Sequence, residues 1–140
     1  MRFEDFITKG LVKRSSIDTG LIKSILSTAD NDLKFFSELE VNDVSARKIF
    51  SNFYDIFRSL LEAKALLGGY KVYSHEAFTY LLKENGEEGM SIKFDRFRRL
   101  RNKVNYYGGN MDIEEVNEYK AELIGLIEKI RKELCENVKN

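Results

Sequence analysis

The chain has 140 residues, no proline, a single cysteine and equal numbers of basic and acidic residues, 23 each, for a net charge of zero. That length suits one domain, residues 1–140, with a sizeable core, and the charge balance excludes polyanion binding through the molecule as a whole. A nucleic-acid role has to rest on a local patch.

Further exclusions follow from the same totals. One cysteine, Cys135, cannot form an internal disulfide and fits no metal-ligand pattern, which suits a reducing, cytoplasmic setting. The opening MRFEDFITKG lacks the apolar run of a signal peptide, and no stretch has the apolar length that a bilayer span needs. With 43% hydrophobic and 33% charged residues, and no proline to interrupt them, long helices are favoured.

In chain order, Phe3, Phe6 and Ile7 predict a short first helix ending near Gly10, followed by a loop, 11–16, that exposes Lys13 and Arg14. Asp18 or Thr19 can cap a second helix, whose apolar stripe is Ile22, Ile25, Ala29, Leu33 and Phe36 and which ends near Leu39. Asn42 or Asp43 can cap a third helix that runs to Leu67 and stops at Gly68-Gly69. Its apolar residues, from Ile49 through Phe57 to Leu67, cover more than one face. Such a pattern follows from burial between the bundle and a second subunit, or from a central position in one larger core. Tyr70–Tyr73 reads as a connector, and Ser74 as the N-cap of a short helix carrying His75, Phe78, Leu81 and Leu82.

After a turn at Asn85–Gly89 comes SIKFDRFRRLRNKVNYYG, Ser91 to Gly108. Phe94, Phe97, Leu100, Val104 and Tyr107 share one face of this helix by their spacing of three and four. Lys93, Arg96, Arg98, Arg99, Arg101 and Lys103 stand against Asp95 alone, the densest positive charge in the chain. Arg98, Arg101 and Asn105 fall in one stripe beside the apolar face. Two guanidiniums and an amide at a core rim suit phosphate, because arginine presents a planar fork of donors. The plainer reading is a solvated face salt-bridged to a neighbouring acidic helix. Asp112 opens a last helix, Ile113 to Leu134, whose outward positions hold Glu114, Glu115, Glu118, Glu122 and Glu128 and make it the natural partner for such bridges.

Few residues could carry chemistry. His75 is the one histidine, and its plainer role is a first-turn residue bonded to a tyrosine or a carbonyl. There is no HExxH, phosphate-binding loop, GxSxG or Cys/His cluster, so no metal or cofactor is expected. The candidate catalytic groups are Arg98, Arg101, Asn105 and His75; the candidate ligand-binding residues are Arg98, Arg101, Asn102, Asn105 and Tyr107.

The stretch NFYDIFRSLLEAKALLGGYKVYSHEAFTYLL, Asn52 to Leu82, followed by RRLRNKVNYYG, Arg98 to Gly108, and a final amphipathic helix, resembles a HEPN domain. The resemblance runs from about Ile17 onward. It implies an all-α, up-and-down bundle of four to six helices, a homodimer, and function as a metal-independent ribonuclease, sometimes a toxin, or as a non-catalytic partner of a small nucleotidyltransferase that binds nucleotide or RNA. In the ribonuclease members an arginine is followed a few residues later by a histidine. Arg98 or Arg101 matches that arginine, whereas the histidine position falls on Asn105 or Tyr106. Tyr107 matches the tyrosine after the motif, which in the toxin branch accepts a nucleotidyl group. An amide does not exchange protons near neutral pH, so the expectation is a dimerising module that binds nucleotide, RNA or a nucleotidyltransferase without cutting. The alternatives are a metal-independent ribonuclease using Arg98, Arg101, Asn105 and His75, and a purely structural helical protein.

Overall fold

A computed structural model describes residues 1–107 and 110–138, without the side chains of Tyr106 and Tyr107. Within them six helices, α1 (Phe3–Thr8), α2 (Thr19–Ser37), α3 (Ala46–Leu67), α4 (His75–Glu84), α5 (Glu88–Tyr107) and α6 (Ile113–Asn137), accompany two short strands, β1 (Val12–Arg14) and β2 (Tyr70–Val72). The expected all-α bundle is therefore what the chain forms. The glycine stop at Gly108-Gly109 and the placement of Tyr107 in the core face lie outside the described residues.

The helix starts follow local chemistry. Asp18 accepts from Leu21 N at 3.0 Å, and Asp112 accepts from Glu114 N at 3.4 Å, each satisfying a donor that a first turn leaves free. Asn42 acts one turn ahead of α3: its side chain takes the N–H groups of Val44 and Ser45, and its carbonyl takes that of Ala46. Gly69 has φ of +87°, a left-handed turn that frees the chain from α3 and swings it into β2.

Helix α3 is the axis. Ile49, Phe50, Phe53, Tyr54, Ile56, Phe57, Leu60, Leu61, Ala63, Ala65 and Leu66 are all buried within one copy of the chain. Of the two explanations for its all-round apolar pattern, the central position in a single core suffices. Helices α2 and α6 flank it, and the α4–α5 pair closes another side. Phe36 meets Phe53, which sits mid-α3, while Phe50 meets Tyr119 and Lys64 reaches Glu133. Those pairings run α6 parallel to α3. Asp30 with Arg131 and Ser37 with Lys120 run α2 antiparallel to α6. Ser51 with Asn105 and Asp55 with Arg101 run α5 antiparallel to α3. The directions of α2, α3, α5 and α6 thus alternate along the chain, as in an up-and-down bundle.

Two segments differ from expectation. Residues 11–16 and the Tyr70–Tyr73 connector pair as an antiparallel ribbon, with Val12 opposite Val72, Lys13 opposite Lys71 and Arg14 opposite Tyr70. Val12 and Val72 are buried and anchor it to the helices. Three-residue strands are too short to show an alternating pattern. Helix α5 begins at Glu88, inside the expected turn, with Met90 and Ser91 already buried.

Candidate functional site

The α5 stripe faces α3, not α6. Ser51 donates to Asn105 Oδ1 at 3.2 Å, and one turn along, Arg101 Nη2 donates to Asp55 Oδ1 at 3.2 Å. Antiparallel helices bring residues four apart on one into step with residues four apart on the other. Arg58 follows Asp55 by one turn of α3 and pairs with Glu62 at 3.3 Å. Arg98 is gripped by Asp95 of its own helix through Nε at 3.2 Å and Nη2 at 2.8 Å. The side chains of Arg58, Arg98 and Arg101 are 25%, 15% and 22% exposed, so each is largely embedded with an edge still open to solvent.

Helix α4 delivers the imidazole into this seam. Ala77, Phe78, Leu81 and Leu82 are buried and fix the helix, and Phe78 meets Phe94 edge to face at 6.0 Å. That seating puts His75 Nδ1 3.3 Å from the Tyr54 hydroxyl, which donates whenever Nδ1 carries no proton. The expected tyrosine partner of His75 is therefore Tyr54. Phe94 stacks on Tyr54 at 5.7 Å, and the Arg101 guanidinium lies 5.6 Å from the centre of the same ring.

The electrostatics follow from this convergence. Burial, then the charges of Arg58, Arg101 and Arg98, lowers the His75 pKa from 6.5 to about 4. Burial pushes the Tyr54 phenol well above its usual range, against the opposing pull of the same three arginines. Burial also pushes the Asp95 carboxyl up, but bonding to Arg98 and Arg99 more than offsets it and leaves the pKa below the ordinary value. Two guanidinium nitrogens, Arg58 Nε and Arg101 Nε, are shut from solvent without a hydrogen-bond partner. The arrangement holds a neutral imidazole among three cations and suits an anion with several acceptor oxygens.

The neutral imidazole has a consequence for stability. The unfolded chain takes up the His75 proton near pH 6.5, whereas the folded chain resists it until about pH 4. Folding stability is therefore full above the higher value and falls as pH drops between the two. The depressed Asp95 pKa takes effect lower, since its stabilisation is lost only below the ordinary carboxylate range. Urea unfolding at pH 7 and pH 4.5 should show a clear loss for the wild type and a much smaller one for His75→Gln. Equal losses would contradict the buried neutral imidazole.

Of the residues expected from sequence, Arg98, Arg101 and His75 come together, and Asn105 lies one turn beyond Arg101 on the same seam. Asn102 is half-buried, with no side-chain hydrogen bond among the described residues. The Tyr107 side chain lies outside the described residues. Sequence reasoning missed the α3 half: Ser51, Tyr54, Asp55 and Arg58. Its signal is present, since Ser51, Asp55, Arg58 and Glu62 recur at spacings of four, three and four along the helix.

The expected pairing of the basic helix with the acidic last helix does not account for its charge. Among the described residues, Arg96 with Glu122 is the one ion pair between α5 and α6. Arg98 and Arg99 turn to Asp95, and Arg101 turns to Asp55. The acidic helix packs mainly on α3. The described residues hold no cluster of three or more His, Cys, Asp or Glu placed for a metal, and no helix long and apolar enough to cross a membrane. Cys135 is exposed and unpaired with any other cysteine.

The chain matches no family model, no curated protein and no solved structure.

Proposed function

We propose that the protein is a HEPN-type helical module that binds the phosphate of a nucleotide or of RNA at Arg58, Arg98 and Arg101, and does not itself cut RNA. The observation that carries this reading is the seam geometry: Arg101 lies 5.6 Å from the centre of the Tyr54 ring whose hydroxyl meets His75 at 3.3 Å, and Arg58 and Arg101 each keep a buried Nε without a partner. A phosphate there accepts bonds from donors that the carboxylates leave free, and Asn105 extends the row. The absence of catalysis follows from the proton chemistry. Near neutral pH an imidazole with a pKa of about 4 is a weak base, and a phenol with a raised pKa is a poor acid. The homodimer and the minimal nucleotidyltransferase partner belong to this reading through the resemblance alone.

The ribonuclease reading draws on the same His75. A phosphate bound among the arginines offsets their charge and lifts the imidazole pKa back toward neutrality, where it can trade a proton. Titration of wild type with adenosine and uridine monophosphates, beside incubation with a labelled single-stranded RNA, separates the two. Binding without cleavage supports the module. Cleavage that disappears in both His75→Gln and Arg101→Ala supports the nuclease. Failure of both nucleotides and the RNA to bind would end both readings.

A further inference from the structure

The β1–β2 ribbon carries an arrangement that its own folding does not require. Lys13 and Lys71 sit directly opposite each other across the two strands. Like charges in that position repel. Both ammonium groups lean over one ring, Tyr73, at 5.5 and 5.7 Å from its centre, and that tyrosine is 54% exposed. Alternation along a strand puts Val12 and Val72 on the core side and Lys13, Lys71 and Tyr73 on the outer side. Neither lysine has a carboxylate partner among the described residues. Residues 9–16 and 69–74 together hold Lys9, Lys13, Arg14 and Lys71 and no acid, in a chain of zero net charge. Arg14 adds a third cation–aromatic pair, 5.6 Å from the Tyr70 ring centre.

Position links this ribbon to the arginine seam. Tyr73 N donates to Leu11 O at 2.8 Å and closes the ribbon, and the chain then enters α4 through Ser74 to His75. Two residues of chain span at most roughly 7 Å between α-carbons. The end of the ribbon is therefore a short step along the chain from the imidazole at the seam. An exposed aromatic flanked by two cations suits an unpaired base with phosphates on either side.

We propose that the outer face of the β1–β2 ribbon is a second contact for single-stranded nucleic acid, with Lys13 and Lys71 on phosphates and Tyr73 stacked on a base. This rests on the phosphate site at the seam and extends it from a mononucleotide to an oligomer. The test is titration of the protein with uridine monophosphate and with uridylate and deoxyuridylate eight-mers at several salt concentrations, for wild type, Lys13→Gln with Lys71→Gln, and Tyr73→Ala. Wild type should bind an eight-mer more tightly than the monophosphate, and the stronger of the two eight-mers assigns the sugar. The double variant should lower the salt slope for the eight-mer by about 1.4, since each phosphate contact on a single strand contributes roughly 0.7. Tyr73→Ala should weaken the eight-mer about tenfold and leave the monophosphate unchanged. Eight-mer binding that is indifferent to both variants, with the monophosphate still bound, would overturn the ribbon and spare the seam. Loss of monophosphate binding in wild type would overturn the seam reading first. Binding to phosphatidylserine vesicles with no binding to either eight-mer would overturn the proposal in favour of a membrane surface.

Discussion

Replacing Arg98 and Arg101 together by alanine should weaken nucleotide binding about a hundredfold or more while the helical content stays unchanged. A hydrogen bond to a charged group contributes roughly 1.5–3 kcal/mol, so two lost guanidiniums are worth at least two factors of ten. Folding should tolerate the change. Arg101 leaves behind Asp55, whose side chain is 36% exposed and can turn to water, and Asp95 keeps Arg99. Arg58→Ala alone should weaken binding about tenfold. That loss would identify Arg58 as part of the site, a role that only the structure suggests. Arg99→Ala supplies the control. Its guanidinium is 75% exposed and is not among the charges that depress His75, so affinity should stay within about twofold. Calorimetric titration with one nucleotide across these three variants and Arg101→Ala alone decides the matter. Equal losses for Arg99→Ala and Arg101→Ala would mean that general positive charge, not the seam, holds the ligand.

The second large effect lies behind the site. Phe94→Ala should cost about 3–5 kcal/mol of folding stability, a large fraction of what a domain of this size possesses. Phe94 is fully buried and meets Tyr54, Phe57 and Phe78 with ring centres 5.7, 5.8 and 6.0 Å apart, so it joins α3, α4 and α5. Removing it takes the support from beneath Tyr54 and from the helix that presents His75. Phe94→Leu keeps most of the volume and should cost about 1–2 kcal/mol, leaving a folded protein in which the link from packing to site can be read. In that variant the His75 pKa should rise from about 4 toward 6.5 as the loosened packing lets water reach the imidazole. Thermal unfolding gives the stability and imidazole NMR gives the pKa. A Phe94→Ala protein within about 1 kcal/mol of wild type would contradict the central place assigned to this ring.

The helices were legible because spacing reports burial. Phe94, Phe97, Leu100 and Val104 recur at three- and four-residue steps, and all are buried except Leu100, which is partly so. The α5 half of the site was legible for a related reason: four arginines within six residues, from Arg96 to Arg101, stand out against a neutral chain. The α3 half was not. Its polar residues are scattered through a helix whose apolar residues draw the eye, and Asp55 and Arg58 gain meaning only once α5 is known to lie antiparallel across them. The same missing distance hid the true partners of the basic helix, since composition drew attention to the glutamates of α6 while geometry supplied Asp55 and Asp95. The ribbon was hidden because each strand is three residues long and its partner is more than fifty residues away.

The most direct test of the phosphate seam is the His75 imidazole itself. Its protonation should be followed by NMR from pH 3.5 to pH 8, without and with saturating uridine monophosphate. The free protein should titrate near pH 4, and a bound phosphate among Arg58, Arg98 and Arg101 should raise that midpoint by a unit or more. A nucleotide that binds while the His75 midpoint stays where it was would place the ligand elsewhere and contradict the account.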